Sequence, residues 1–178
     1  TSICTDCPRG FFTNTQRATS CAPCAPGSFA GELRQHACSL CTAGRFGDED
    51  LAGQTTEAAA CKNRCPLGRF GDVPGMASEA GACANSCPAG TFGDATGADS
   101  ESAACTGCPL GFFAGVAGSA ACSPCAAGTF ASEERQDACA GCPPGRFGDA
   151  ALVGKTSAAD ACPNVCALGT FGDVSGQK

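Results

Sequence analysis

Cys87-Pro88-Ala89-Gly90-Thr91-Phe92-Gly93-Asp94 is one of nine versions of a single phrase, and that phrase decides the fold. Each version follows the pattern Cys-x₂₋₃-Cys-x-x-Gly-x-Phe. The first cysteines are Cys4, Cys21, Cys38, Cys61, Cys83, Cys105, Cys122, Cys139 and Cys162. The second are Cys7, Cys24, Cys41, Cys65, Cys87, Cys108, Cys125, Cys142 and Cys166. Three residues past each second cysteine stands a glycine, from Gly10 to Gly169, and five past it a phenylalanine: Phe12, Phe29, Phe46, Phe70, Phe92, Phe113, Phe130, Phe147 and Phe171. Only Phe11 and Phe112 fall outside the pattern. Internal repetition this strict points to a repeat architecture before any other argument begins.

Composition says what holds such repeats together. Leu, Ile, Val and Phe supply 24 of the 178 residues, too few for one sizeable core. Much of the hydrophobic 43% is alanine or cysteine. Eighteen cysteines are the usual substitute for missing apolar burial. Closing a loop of ~15 residues with a disulfide contributes about 3 kcal/mol in the chain-entropy treatment. Burying one Phe contributes about 1.5–3 kcal/mol. Cross-links therefore lead and the rings assist, each expected to pack on a disulfide as the core of its repeat. Disulfides at this density require an oxidising setting, so the expected location is extracellular, secreted or at the cell surface.

Charge and hydropathy close off other classes. A net charge of −6 argues against a nucleic-acid partner. No run of 18 apolar residues exists, so no membrane contact is expected of this segment. The chain opens at Thr1 without an export signal, which fits a processed or partial chain.

Two periods are nested. The spacing of second cysteines restarts after 101 residues, so residues 1–77 align with 102–178 without gaps, about half the positions being identical. Glu32, Arg34 and Gln35 recur as Glu133, Arg135 and Gln136. The expected organisation is a first five-module unit, 1–101, and a second, incomplete unit, 102–178. The modules run 4–20, 21–37, 38–60, 61–82, 83–104, 105–121, 122–138, 139–161 and 162–178. Long phrases continue Phe-Gly-Asp, as in Phe46-Gly47-Asp48, with a further glycine such as Gly53, Gly75, Gly97 or Gly154: turn chemistry. Ahead of the next cysteine, Thr55-Thr56-Glu57-Ala58-Ala59-Ala60 reads as one capped helical turn. The residues around each Phe read as short and extended.

Spacing alone leaves the disulfide connectivity open. An interlocked scheme would join Cys4 to Cys21 and Cys7 to Cys24. With five phrases per unit, that gives equivalent cysteines different partners in alternate units. Joining each second cysteine to the next first cysteine keeps the copies equivalent, and this scheme is preferred. It pairs Cys7–Cys21, Cys24–Cys38, Cys41–Cys61, Cys65–Cys83, Cys87–Cys105, Cys108–Cys122, Cys125–Cys139 and Cys142–Cys162. Cys4 and Cys166 are left to residues outside the segment or to a neighbouring copy.

Rival chemistries are weaker. Cys4, Cys7, Cys21 and Cys24 approach the spacing of a four-cysteine zinc site, but nine pairs do not group into fours and three have widened to Cys-x₃-Cys. One reactive pair would suffice for thiol redox work. The acidic loops (Asp48, Glu49, Asp50 and Glu57; Asp94, Asp99 and Glu101) do not match an EF-hand, and solvated turn carboxylates are preferred to a Ca²⁺ site. His36 is the sole histidine and aligns with Asp137. No nucleophile elbow, zinc-protease helix or phosphate-cradling glycine loop is present. Neither enzyme, metal nor cofactor is expected. Ser and Thr in the loops offer acceptors for O-linked glycans.

The stretch Cys87–Asp94, followed by Cys105-Thr106-Gly107-Cys108-Pro109, resembles the ephrin-receptor-like cysteine-rich repeat, related in style to the modules of tumour necrosis factor receptors. It departs in carrying Phe where Tyr is frequent, and in lacking Pro after Cys24, Cys41, Cys125 and Cys166. Its Phe-Gly-Asp-Ala-Thr-Gly form is similar to long arrays in large surface proteins of algae and other protists. The resemblance implies small disulfide-rich repeats stacked as an elongated extracellular rod or solenoid, with short β-hairpins, single helical turns and little other regular structure. It also implies the sequential pairing above. A compact globule of this length would have a radius of gyration of about 16 Å, which such a rod would exceed. Two functions follow as expectations. One is a structural component of an extracellular filament, flagellar hair or cell-surface coat, its partners being copies of itself or further repeats. The other is a receptor ectodomain binding a protein ligand or adhesion partner. Near-identity after 101 residues, and the absence of Trp and Tyr, favour the first.

Overall fold

The computed structural model describes residues 4–177. They form two compact units: one runs through Ser86 and includes Ala95–Ala104, and the other comprises Cys87–Asp94 and the chain from Cys105 onward. Both are built from the same part.

That part is a two-stranded antiparallel hairpin whose first strand carries the repeat Phe. The turn before it is dictated by the glycine: Gly27 at φ 79° and Gly44 at φ 77° lie in the left-handed region that side chains disfavour. The bonds Ser28 N–H to Ala25 O and Arg45 N–H to Thr42 O close these turns at 3.0 and 3.1 Å. In the first unit Phe11–Phe12 pairs with Ala22–Pro23, Ser28–Phe29 with Ser39–Leu40, Arg45–Phe46 with Asn63–Arg64, and Arg69–Phe70 with Asn85–Ser86. In the second, Thr91–Gly93 pairs with Cys105–Gly107, Phe112–Phe113 with Ser123–Pro124, Thr129–Phe130 with Ala140–Gly141, and Arg146–Phe147 with Asn164–Val165. Isolated two-residue hairpins are too short to persist in water without a further constraint. The disulfides supply it.

Among the described residues, eight disulfides run Cys7–Cys21, Cys24–Cys38, Cys41–Cys61, Cys65–Cys83, Cys87–Cys105, Cys108–Cys122, Cys125–Cys139 and Cys142–Cys162. Their Cα–Cα distances fall between 5.4 and 5.8 Å, normal for the bond. Cys4 and Cys166 have no disulfide partner among the described residues.

The largest change in module length lies between the αL residue and the next first cysteine. In short modules the next first cysteine stands four residues after an αL residue, as Cys38 follows Arg34 and Cys122 follows Gly118. In long ones it stands eight after, as Cys61 follows Gly53 and Cys83 follows Gly75. The inserted residues are one helical turn: α1 Glu57–Ala60, α2 Glu79–Ala82, α3 Glu101–Ala104 or α4 Ala158–Ala161. Thr56 and Ser157 cap α1 and α4 by accepting from the Ala59 and Asp160 amides. The cysteine amides Cys61 and Cys162 then bond back to Glu57 O and Ala158 O.

Burial follows the sulfur. The described second cysteines from Cys7 to Cys142 are buried, together with the alanines that end the long modules, Ala60, Ala82, Ala104 and Ala161. Phe46 packs on Cys65, Cys83 and Ala82, Phe29 on Cys41, Cys61 and Ala60, and Phe130 on Cys142, Cys162 and Ala161. Each of these rings therefore covers the disulfide of the following module. The sequence reading treated the nine Phe as repeat cores. In the structure most of them are only partly buried, Phe46 being the buried case at 9% exposure. A ring lying across a junction leaves one face to solvent. Phe171 differs altogether, at 85% exposure.

Candidate functional site

The chemistry of this chain lies in its module junctions, and the backbone makes them. Each junction has an αL residue in the incoming loop. In the first unit Arg34, Gly53, Gly75 and Gly97 donate their amides to the carbonyls of Cys7, Cys24, Cys41 and Cys65 at 2.8–3.0 Å. In the second unit Gly118, Arg135, Gly154 and Gly176 donate to Cys87, Cys108, Cys125 and Cys142 at 2.8–3.0 Å. The return bond comes from the residue after the repeat Phe. Thr13, Ala30, Gly47 and Gly71 donate to Gln35, Gln54, Met76 and Ala98, and Gly93, Ala114, Ala131 and Gly148 to Ser119, Gln136, Lys155 and Gln177. Every acceptor in this second set directly follows the αL residue. The same two bonds recur throughout both units.

The repeat glycine has a second task here. A Cβ on Gly27 would stand 2.5 Å from Met76 O and 2.6 Å from Gly75 O, in the module after next. Gly10 faces Gly53, Gly44 faces Gly97 and Ala98, Gly90 faces Arg135, Gly111 faces Gly154, and Gly128 faces Gln177 in the same manner. Backbone thus lies on backbone two modules apart, and no side chain fits between.

Side chains refine the junction. In six modules the residue before the repeat Phe hydrogen-bonds a backbone carbonyl in one of two ways. Ser28, Thr91, Thr129 and Thr170 turn their hydroxyls back to the carbonyls of Ala25, Pro88, Ala126 and Ala167 at 2.6–2.8 Å. Arg69 and Arg146 instead reach forward, donating to Cys83 O at 3.0 Å and Cys162 O at 3.1 Å. Asn63 and Asn164 donate to Gly47 O and Gly148 O. These are positioning contacts.

The residues weighed for other chemistry are dispersed. Cys7 and Cys24 enter separate disulfides, with Cys21 and Cys38, so the four-cysteine set read as a zinc rival is divided. Asp48 accepts from Lys62 Nζ at 3.1 Å, Asp94 from Thr106 at 2.9 Å and Asp72 from Asn85 at 3.3 Å. The Lys62 bond, then the Asp50 amide, hold the Asp48 carboxyl below its ordinary range. Among the described residues no three His, Cys, Asp or Glu side chains gather to hold a metal ion. His36 is exposed. No helix in them is long and apolar enough to cross a membrane. An open concavity of about 610 Å³ lies at the first module, lined by Cys4, Pro8, Phe11, Ser20 and the Cys7–Cys21 disulfide among others.

The sequence reading missed the αL arginines. Arg17, Arg34 and Arg135, at φ 61–63°, occupy the place that glycine takes in the other modules. A signal existed: Arg34 and Arg135 recur with the 101-residue period, and both stand four residues before a first cysteine.

Hairpins in tandem, each closed by its own disulfide and bonded through the backbone to its neighbour, define a cysteine-rich repeat protein. Residues 1–32 and 111–152 match the family model described as tyrosine-protein kinase ephrin type A/B receptor-like, which is what these stretches are similar to. None of the curated proteins compared with the chain matches it. Repeats of this kind, with disulfides at this density, place the chain among extracellular or cell-surface disulfide-rich proteins.

Proposed function

We propose that this chain is a structural element of an extracellular filament, flagellar hair or cell-surface coat. One observation carries the reading: the same backbone junction recurs eight times among the described residues. A junction made of main-chain bonds, a disulfide and a glycine contact places successive modules alike whatever their outer side chains. Repetition suits length and durability, whereas ligand recognition needs one distinctive surface. The partners in this reading are copies of the chain or further repeats, with O-linked sugars on the exposed Ser and Thr. The reading assigns no catalytic task, since the functional groups are spent on turns and junctions.

Electron microscopy of native material, with antibodies raised against the 178-residue chain, tests this. Labelled filaments, hairs or a continuous coat are the expected result. Label confined to isolated molecules in a membrane, each holding a bound protein ligand, would establish the receptor alternative instead.

A further inference from the structure

Two-electron oxidants such as peroxides find few acceptors in this chain. It contains no Trp and no Tyr, and its single methionine is Met76. Every cysteine but Cys4 and Cys166 is already oxidised in a disulfide. A disulfide has given up its thiol electrons, whereas a thioether keeps a reactive lone pair. Between Cys4 and Cys166 the readily oxidised sulfur is therefore that of Met76.

The fold sets this sulfur into a junction. Met76 directly follows the αL residue Gly75, and its carbonyl accepts the Gly47 amide at 3.0 Å. Gln35, Gln54, Ala98 and Ser119 stand at the same point of other junctions. The Met76 side chain is partly buried, against Phe46, Ala82 and the Cys65–Cys83 disulfide, which leaves a small oxidant a way in. The helical turn α2 is shaped to receive it. Its third residue is Gly81, where α1 and α3 have Ala59 and Ala103. A Cβ on Gly81 would stand 3.2 Å from Met76 Sδ, tighter than ordinary contact, so the glycine leaves the sulfur its seat. Ser78, the N-cap of α2, makes no side-chain capping bond, while Thr56 and Ser157 do. The turn α2 therefore depends on side-chain packing more than α1 or α4 does.

We propose that Met76 is an oxidation site, a thioether that hydrogen peroxide converts to the sulfoxide, and that this modification loosens the joint between the third and fourth modules. The sulfur lone pair attacks one peroxide oxygen and the O–O bond breaks. The departing hydroxide takes up the proton of the transferred oxygen and leaves as water. One methionine and one hydrogen peroxide become one methionine sulfoxide and one water, sulfur losing the two electrons that peroxide gains. The new oxygen is polar, and the surface beneath it is a ring, a methyl group and a disulfide, none of which can donate a hydrogen bond to it. The side chain turns to solvent, and Phe46 and the Cys65–Cys83 disulfide lose its cover. Enzymes that reverse the step draw on thiols, so in an oxidising setting the mark persists.

The test takes the 178-residue chain with Cys4→Ser and Cys166→Ser, which removes the two other reactive sulfurs. It is treated with hydrogen peroxide, mapped by peptide mass spectrometry, and followed by amide hydrogen exchange before and after. One added oxygen per chain, on Met76, is expected. The Gly47 and Gly75 amides, which bond Met76 O and Cys41 O, should then exchange about tenfold faster, with the Gly118 amide unchanged. Met76→Leu keeps an apolar side chain of similar volume, and peroxide should neither add oxygen to it nor alter its exchange. Three results overturn the inference. They are an unmodified Met76 at a peroxide dose that converts free methionine, an oxidised Met76 with Gly47 and Gly75 undisturbed, or the same acceleration in peroxide-treated Met76→Leu. The inference rests on the junction alone, and whether native material forms filaments bears on none of these outcomes.

Discussion

Gly27→Ala separates the two demands made on the repeat glycine. At φ 79° an added Cβ costs about 1 kcal/mol for the left-handed conformation alone. It would also stand 2.5 Å from Met76 O and 2.6 Å from Gly75 O, so the loop of the fourth module has to withdraw. That loop is held by Gly75 N–H to Cys41 O at 2.8 Å and by Gly47 N–H to Met76 O at 3.0 Å. Losing both bonds costs about 2 kcal/mol more, for a total near 3 kcal/mol. Gly145→Ala is the control: its φ is 81°, but open space surrounds the position, so only the conformational cost applies. Both variants belong in the Cys4→Ser, Cys166→Ser background. With no Trp or Tyr to report unfolding, amide hydrogen exchange by NMR is the suitable assay. Gly47 and Gly75 amides should exchange about a hundredfold faster in Gly27→Ala, while the Gly118 amide should be unchanged. In Gly145→Ala the effect should stay below about tenfold and close to the substitution. Equal effects of the two substitutions, or undisturbed Gly47 and Gly75 amides in Gly27→Ala, would refute backbone stacking across alternate modules.

Four further outcomes are expected. Replacing Cys41 and Cys61 together by Ser should cost about 3 kcal/mol and open the loop between them to limited proteolysis, with the Cys7–Cys21 loop remaining intact. Phe46→Ala should cost roughly 3 kcal/mol and raise exchange of the Phe70 and Asn85 hairpin amides, because the ring covers the Cys65–Cys83 disulfide of the following module. Arg69→Met keeps the aliphatic stem but removes the bond to Cys83 O; exchange in the same hairpin should rise roughly fivefold, consistent with about 1 kcal/mol. Asp48 should titrate below an ordinary aspartate by carboxyl NMR and return toward the ordinary range in Lys62→Met. Because its folded-state pKa is depressed, the associated stabilisation is present above the unfolded value and is lost as the pH falls through the folded one.

The class of fold was legible because cysteine, glycine and phenylalanine carry it at fixed spacing. Thr56-Glu57-Ala58-Ala59-Ala60 announced a capped turn through local chemistry, and Ser28–Phe29 a short strand beside a glycine turn. What stayed hidden was contact between modules. Nothing local to Gly27 reveals that Met76 lies against it, since that closeness depends on stacking two modules away. Nor does composition say that Phe46 serves the next disulfide. Arg34 gave no local signal for a physical reason: an L-residue at positive φ is disfavoured by its own backbone, and the bond to Cys7 O, the ion pair with Asp6 and the surrounding loop hold it there.

The four-residue helical turn enters between the αL anchor and the cysteine, so neither junction bond registers its presence. Short and long modules are therefore interchangeable at the level of the gene. Unequal crossing-over between any two repeats would yield a chain with more or fewer modules and correct joints throughout. The length of such a protein can drift over generations while each product still folds.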